Sequence, residues 1–179
     1  MKKIGFLGLG VMGLPMALNV LKKSGYPVLG FDVAQARLDQ FAAAGGETTS
    51  DPVDIYKTCD VIMQMLPTHP IIINSIKQAV QYGKPGNIIL DLDSTAPDII
   101  QELYPEVEAA GMHLLDSPVS GGNPMAIAGT LAIMTGGDKA VFEEVKPLLE
   151  CMGHPVYTGG SASGSITKLV NNMVAGAYL

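Results

Sequence analysis

The sequence predicts an α/β domain in which helices cover both faces of a mostly parallel sheet. Three observations carry that prediction. Apolar runs of strand length alternate with longer helix-like runs along the chain, which is the pattern of βαβ units. The first unit places a glycine turn, Gly8-Leu9-Gly10-Val11-Met12-Gly13, between an apolar run from Ile4 to Leu7 and another from Val11 to Leu21. The second strand-like run, Pro27 to Asp32, closes on an acid. Together these describe a doubly wound sheet of the Rossmann type.

The elements follow in order. Lys3 to Leu7 reads as a strand and Val11 to Ser24 as a helix that Gly25 stops. Pro27 to Asp32 is a strand, and Ala34 to Ala44 is a helix ended by Gly45-Gly46. Glu47 to Thr49 suits a short strand, and Ser50 or Asp51 caps a short helix through Lys57. Val61 to Met65 is a strand, Ile71 to Tyr82 a helix, and Asn87 to Asp91 a strand. Ser94 or Thr95 is expected to cap a helix with Pro97 in its first turn, running to Ala110. His113 to Leu115 and Thr130 to Met134 are strands. Asp138 caps a helix to Met152, Pro155 to Tyr157 suits an edge strand, and the chain is helical again from Gly164. The expected division is a dinucleotide-binding domain over residues 1–163, then the start of a further helix over 164–179.

Bulk properties exclude several classes. The chain has 179 residues, is 47% apolar and 16% charged, and carries a net charge of −6. A large core is available and disorder is not expected. The acidic balance, without a Lys/Arg cluster, argues against nucleic acid as a partner. Cys59 and Cys151 lie far apart with no metal-type spacing, so both read as buried thiols in a reducing compartment and no metal is expected. Met1-Lys2-Lys3 and the uncharged run to Leu21 imitate a signal peptide or membrane span. Four glycines and Pro15 interrupt that run, and a buried strand plus a buried helix explains it better. The expected setting is the cytoplasm, or an organelle matrix, with no membrane partner.

The glycine turn has the context that a dinucleotide fingerprint requires. Gly8 permits the tight turn, Gly10 lets the backbone approach a pyrophosphate, and Gly13 lets the helix pack closely. Free N–H groups at the helix start then face the anion. Asp32 stands about 20 residues on, where a carboxylate accepts from the adenine-ribose diol and repels a 2′-phosphate. NAD is therefore expected over NADP, with Arg37 nearby able to soften the preference. Capping of the next helix by Asp32 is the lesser alternative, and it does not exclude ribose binding.

Further stretches fall at the carboxyl ends of later strands, the ligand-binding edge of such sheets: Met65-Leu66-Pro67, Ser94-Thr95 and Ser117-Pro118-Val119-Ser120-Gly121-Gly122. Ser120 with Gly121 and Gly122 suits a substrate carboxylate, although taken alone a plain glycine turn is the better reading of the stretch. In the last helix Lys168, Asn171 and Asn172 share one face. Ile166, Leu169 and Val170 around Lys168 would desolvate it and bring its pKa toward a range useful for proton transfer. A surface polar stripe is the alternative.

These motifs together resemble the β-hydroxyacid dehydrogenase family. The resemblance rests on Gly8 to Gly13 with Pro15-Met16-Ala17 and Asn19, on Met65-Leu66-Pro67, on Asp116 to Gly122, and on Gly164 to Asn172. Gly129-Thr130-Leu131 through Gly136-Gly137 also fits. The resemblance implies that Gly8, Leu9, Gly10, Val11, Met12 and Gly13 hold the NAD pyrophosphate, that Leu66 and Pro67 line the cofactor, and that Ser94, beside Thr95, touches the nicotinamide half. Ser120, Gly121 and Gly122 would hold the substrate carboxylate. Lys168 would be the general acid/base, with Asn172, or else Asn171, assisting. The implied reaction is hydride transfer between NAD and a 3-hydroxy acid of the 3-hydroxyisobutyrate or 2-hydroxy-3-oxopropionate/glycerate type. The resemblance also implies a helical second domain and a homo-oligomer for a full-length protein, and Ile166 to Leu179 ends without a stop signal, as a cut helix would. Two departures stand out: Asp93 replaces a common serine, and a loop between Pro67 and Lys84 is short. Asn171, where 6-phosphogluconate dehydrogenases carry histidine, and Lys168, which imine reductases lack, point away from those two branches. A non-catalytic NAD-binding module is the alternative function.

Overall fold

The computed structural model describes residues 2–177. The chain opens with β1 (Ile4–Leu7), α1 (Gly13–Lys23), β2 (Val28–Phe31), α2 (Gln35–Ala43) and β3 (Glu47–Thr48). It continues through α3 (Pro52–Thr58), β4 (Val61–Gln64), α4 (His69–Tyr82), β5 (Ile88–Asp91) and α5 (Pro97–Ala109). The rest is β6 (His113–Asp116), β7 (Val119–Ser120), α6 (Gly122–Ala128), β8 (Leu131–Gly136), α7 (Lys139–Glu150), β9 (Gly153–Gly159) and α8 (Ser163–Ala177). The expected helix across Tyr178 and Leu179 lies outside the described residues.

One nine-stranded sheet runs β3-β2-β1-β4-β5-β6-β8-β7, with β9 paired to β8. Strands β1 to β6 are mutually parallel, with Ile4 opposite both Val28 and Val61. The antiparallel pairings are those of β8 with β6 and β7. The order reverses between β1 and β4, which opens a crevice at their carboxyl ends.

The apolar runs read from the sequence become strands buried on both faces, and their alternation sorts side chains into two cores. Ile4, Phe6, Val61, Met63, Ile88 and Leu90 meet helices α1, α2, α6 and α7 on one face. Leu7, Ile62, Ile89 and Leu114 meet α3, α4 and α5 on the other. The N-terminal run that imitates a leader is thus β1 and α1, both packed in the core. Among the described residues no helix is long and apolar enough to cross a membrane.

Two elements were not legible. Val119–Ser120 and Gly122–Ala128 form β7 and α6, although Gly121-Gly122 and Pro124 argue against regular structure. Pairing of Val119 with Ile133, and of Ser120 with Ala132, supplies what local propensity lacks. A correction concerns α5. Its N-cap is Ala96, with no side-chain cap bond, so neither Ser94 nor Thr95 caps it. Proline at the first helical position sets the start there, since its fixed φ suits that position and its missing N–H needs no partner. Asp51 and Asp138 do cap α3 and α7.

Candidate functional site

The glycine turn occupies the carboxyl end of β1, at the point where the strand order reverses. Gly8 has φ +88°, and a Cβ there would strike the Met65 carbonyl on the neighbouring strand end. A Cβ on Gly13 would strike the carbonyl of Gly8, so close packing of α1 on the turn requires glycine at that position. Around Gly10 a Cβ would meet nothing within 4 Å, so its backbone faces open space, as close approach of a pyrophosphate requires.

Helix α1 begins at Gly13, two residues later than its apolar run suggests, with Met12 as N-cap. It has no side-chain cap and no acid in its first turn. The amides of Val11 and Met12 have no protein acceptor among the described residues. The N-terminal partial charge of the helix is therefore not neutralised by the chain, which suits an anion.

A cleft of about 460 Å³ covers this turn, lined by Gly8 and Gly10, Val11 to Gly13, Phe31 to Val33, Met65 to Pro67, and Ile71. Of the residues expected to hold cofactor, Gly8, Gly10, Val11, Met12, Gly13, Asp32, Leu66 and Pro67 meet there. Leu9 does not: its side chain is fully buried in the core and its amide donates to Asp32. Met65 comes with the Met65-Leu66-Pro67 stretch, whereas Phe31, Val33 and Ile71 were not expected to line the cleft, although Phe31 and Val33 adjoin Asp32.

Asp32 sits at the rim of this cleft. Its Oδ2 accepts from the Leu9 amide at 2.7 Å and its Oδ1 from the Ala34 amide at 2.8 Å. The N-cap of α2 is Ala34, so Asp32 is not the helix cap. It instead ties the glycine turn to the end of β2 with its carboxylate half exposed, and each oxygen keeps a lone pair for a ribose diol.

Below Leu66 lies a pair of buried acids. Gln64 Nε2 donates to Asp91 Oδ1 at 3.0 Å, and the Leu66 amide donates to Asp93 Oδ1 at 2.7 Å. Their other oxygens have no donor among the described residues. Burial, reinforced by the charge of Asp91, pushes the Asp93 carboxyl up to about 10. Burial also raises Asp91. Two neighbouring buried carboxyls do not both ionise readily, so the pair retains a proton. Ser94 is exposed beside this pair and Thr95 is buried; neither lines the cleft.

The second cluster joins β7 to α8. Asn171 Nδ2 donates to Ser120 Oγ at 3.2 Å. Lys168, one turn earlier on the same face, is 9% exposed. No carboxylate lies within ion-pairing distance of it among the described residues, and burial lowers its pKa from the usual lysine range. Asn172 is exposed and makes no side-chain hydrogen bond among the described residues, whereas Asn171 reaches Ser120. Gly121 and Gly122 follow Ser120 on the exposed surface.

Asn123, which the sequence did not single out, brings the clusters together. Its Nδ2 donates to the Val11 carbonyl at 2.6 Å. Asn19 of α1 reinforces the junction by donating to the carbonyl of Ala126 at 2.8 Å. The loop bearing Ser120 to Gly122 is thereby pinned beside the glycine turn. No group of metal-ligating side chains occurs among the described residues, and Cys59 and Cys151 are buried free thiols.

Comparison with known proteins agrees with this layout. The model of the NAD-binding domain of 6-phosphogluconate dehydrogenase matches residues 3–160. The chain is 36% identical to 2-(hydroxymethyl)glutarate dehydrogenase of Eubacterium barkeri over 99% of its length and 60% of the relative's. It is 35% identical to the NAD-dependent L-serine dehydrogenase of Pseudomonas aeruginosa, covering 97% and 59%. It is 38% identical to human mitochondrial 3-hydroxyisobutyrate dehydrogenase, covering 96% and 52%. The 3-hydroxyisobutyrate dehydrogenase of Mycobacterium tuberculosis, solved with L-serine, superposes with a TM-score of 0.93 at 34% identity, covering 98% of this chain and 60% of that one. The chain spans between about half and three-fifths of the length of these relatives. With the fold, the glycine turn and these matches in agreement, the chain belongs to the β-hydroxyacid dehydrogenase family and corresponds to its NAD-binding domain.

Proposed function

We propose that this chain supplies the cofactor-binding and acid/base half of an NAD-dependent dehydrogenase acting on a small 3-hydroxy acid, of the 3-hydroxyisobutyrate or 2-hydroxy-3-oxopropionate/glycerate type. The observation that carries the reading is the assembly of Ser120, Asn171 and buried Lys168 on one side of the glycine turn. A cofactor module without chemistry has no use for a desolvated lysine with no counter-charge beside an asparagine–serine contact.

The residues present fit NAD. Val11 and Met12 offer free amides to a pyrophosphate, Asp32 accepts from the adenine ribose and repels a 2′-phosphate, and Leu66 and Pro67 wall the cleft. NAD bound there would supply the hydride acceptor for oxidation at the substrate's carbinol carbon and the hydride donor for the reverse. Ser120 and the backbone at Gly121-Gly122 hold the substrate carboxylate. In oxidation the neutral amine of Lys168 takes the hydroxyl proton as the carbonyl forms. In reduction the ammonium returns it, so the balance is alcohol plus oxidised cofactor giving carbonyl, reduced cofactor and a proton. Burial favours the neutral amine that oxidation needs. Asn171, through Ser120, keeps the carboxylate subsite in register with Lys168, and the proposed role of Asn172 is to meet the substrate hydroxyl.

The test is a panel of hydroxy acids, among them 3-hydroxyisobutyrate, glycerate, 4-hydroxybutyrate and L-serine, assayed with NAD and NADP. Because the relatives are longer, the assay uses the longest form of the protein that its gene encodes. Turnover of a 3-hydroxy acid with NAD is expected. Binding of NAD with no turnover of any panel member would favour the non-catalytic module.

A further inference from the structure

Asp116, at the end of β6, holds an unusual place. It is 1% exposed, yet no basic side chain faces it among the described ion pairs. Its two oxygens reach across 46 and 49 positions of sequence to the start of α8: Oδ1 accepts from the Ala162 amide at 3.0 Å and Oδ2 from the Ser165 amide at 2.7 Å. These are donors that a helix start leaves without intrahelical partners. Helix α8 has no acid in its first turn, and its N-cap position falls on Ala162, which has no side chain to cap with. Ala162 is also held at φ +66°, a left-handed conformation costly for alanine. Gly136 and Gly164 leave room for this junction, since a Cβ on Gly136 would lie 2.6 Å from Asp116 Oδ1 and one on Gly164 would strike the Asp116 carbonyl.

The contacts form a closed circuit. Ser165 is one turn before Lys168 on the same face, and Asn171 is one turn after it. Asn171 bonds Ser120, and Ser120 lies four residues along the chain from Asp116. We infer that Asp116 is a positioning residue for the proposed reaction: its carboxylate caps α8 from a distance and thereby sets Lys168 against the Ser120 subsite.

This inference rests on the proposed acid/base role of Lys168, but the anchoring it asserts is separable from that role. Burial pushes the Asp116 carboxyl up from the usual carboxylate range, and the two amide donors work against that rise by favouring the charged form. A charged acceptor at a helix N-terminus is also the arrangement favoured by the helix dipole. Asparagine keeps the size but presents one N–H to an amide that is itself a donor, so one end of the clamp must open.

The experiment is amide hydrogen exchange on the unchanged protein and on Asp116→Asn, with labelling of the Lys168 amine by a small acylating reagent across a pH range. In the unchanged protein the Ala162 and Ser165 amides exchange slowly although no backbone acceptor serves them. In Asp116→Asn they exchange about ten- to a hundredfold faster, the effect of losing a charge-assisted hydrogen bond, while β1 and β4 amides keep their rates. The pH midpoint of Lys168 labelling moves up toward ordinary lysine as α8 tilts and the amine hydrates, a shift that loss of stability alone would not cause. Unprotected Ala162 and Ser165 amides in the unchanged protein would overturn the inference. So would a folded Asp116→Asn protein with unchanged exchange and an unchanged Lys168 midpoint. Should Asp116→Asn not fold, exchange on the unchanged protein decides alone. None of these readouts depends on turnover, so an inactive Lys168 and a failed anchor would be told apart.

Discussion

Asn171 and Ser120, 51 positions apart, meet at 3.2 Å through Nδ2 and Oγ. That contact joins α8, the helix of the buried lysine, to the strand end that precedes the Gly121-Gly122 loop. Ser120→Ala removes both the contact and the hydroxyl proposed to hold the substrate carboxylate. The KM for the hydroxy acid is expected to rise about tenfold or more, the scale of a lost hydrogen bond to a charged group. NAD affinity, measured by calorimetry, should hold.

The cofactor preference is expected to rest on Asp32. NAD is expected to bind more tightly than NADP, and Asp32→Ala should weaken NAD by about ten- to a hundredfold while narrowing the ratio between the two. The same substitution frees the Leu9 and Ala34 amides, so the melting temperature should fall with it. A tighter NADP dissociation constant in the unchanged protein would remove Asp32 from this role.

Much of this was legible because it depends on local pattern. The glycine turn, Asp32 and the strand–helix alternation were found where spacing and periodicity place them. The Asp116 clamp, the Asp91–Asp93 pair and the Asn123 bridge to Val11 were not, because each joins residues distant in sequence through contacts that no local period encodes. The choice between the two asparagines shows the same limit: helical spacing places both near Lys168, and only tertiary packing turns Asn171 toward Ser120. The expected caps Ser94 and Thr95 failed for a related reason, since Pro97 sets the helix start and leaves the hydroxyls aside.

The acid pair makes stability depend on pH. Asp93 has a folded-state pKa of about 10 against an ordinary value of 3.8. The stabilisation linked to its proton is complete below the ordinary value and is lost progressively as pH rises toward the folded one. Asp93→Asn keeps an acceptor for the Leu66 amide and supplies a permanent donor to Asp91 in place of the shared proton. Chemical denaturation at about pH 6 and pH 9 should show the variant gaining on the unchanged protein as pH rises. Parallel curves for the two proteins would mean that Asp93 is ionised in the fold.

Lys168 imposes a cost of the opposite sign. Its folded pKa lies below the ordinary 10.5, so the folded state holds its proton less firmly than the unfolded chain does. The stability linked to the neutral amine is present above 10.5 and is lost as pH falls through the folded value. Lys168→Met removes that cost and should raise the melting temperature by a few degrees at about pH 7, with the gain shrinking in strong alkali. A lower melting temperature in the variant would show that the ammonium finds compensation in the fold.

The most direct measurement of the central claim is the kinetic and binding comparison of Lys168→Ala with the unchanged protein, in the longest form that the gene encodes. Turnover of the best 3-hydroxy acid should fall about a hundred- to ten-thousandfold, the range that general acid/base catalysis supplies. The NAD dissociation constant should stay within about twofold, because Lys168 does not line the cofactor cleft. Unchanged turnover would contradict the acid/base assignment.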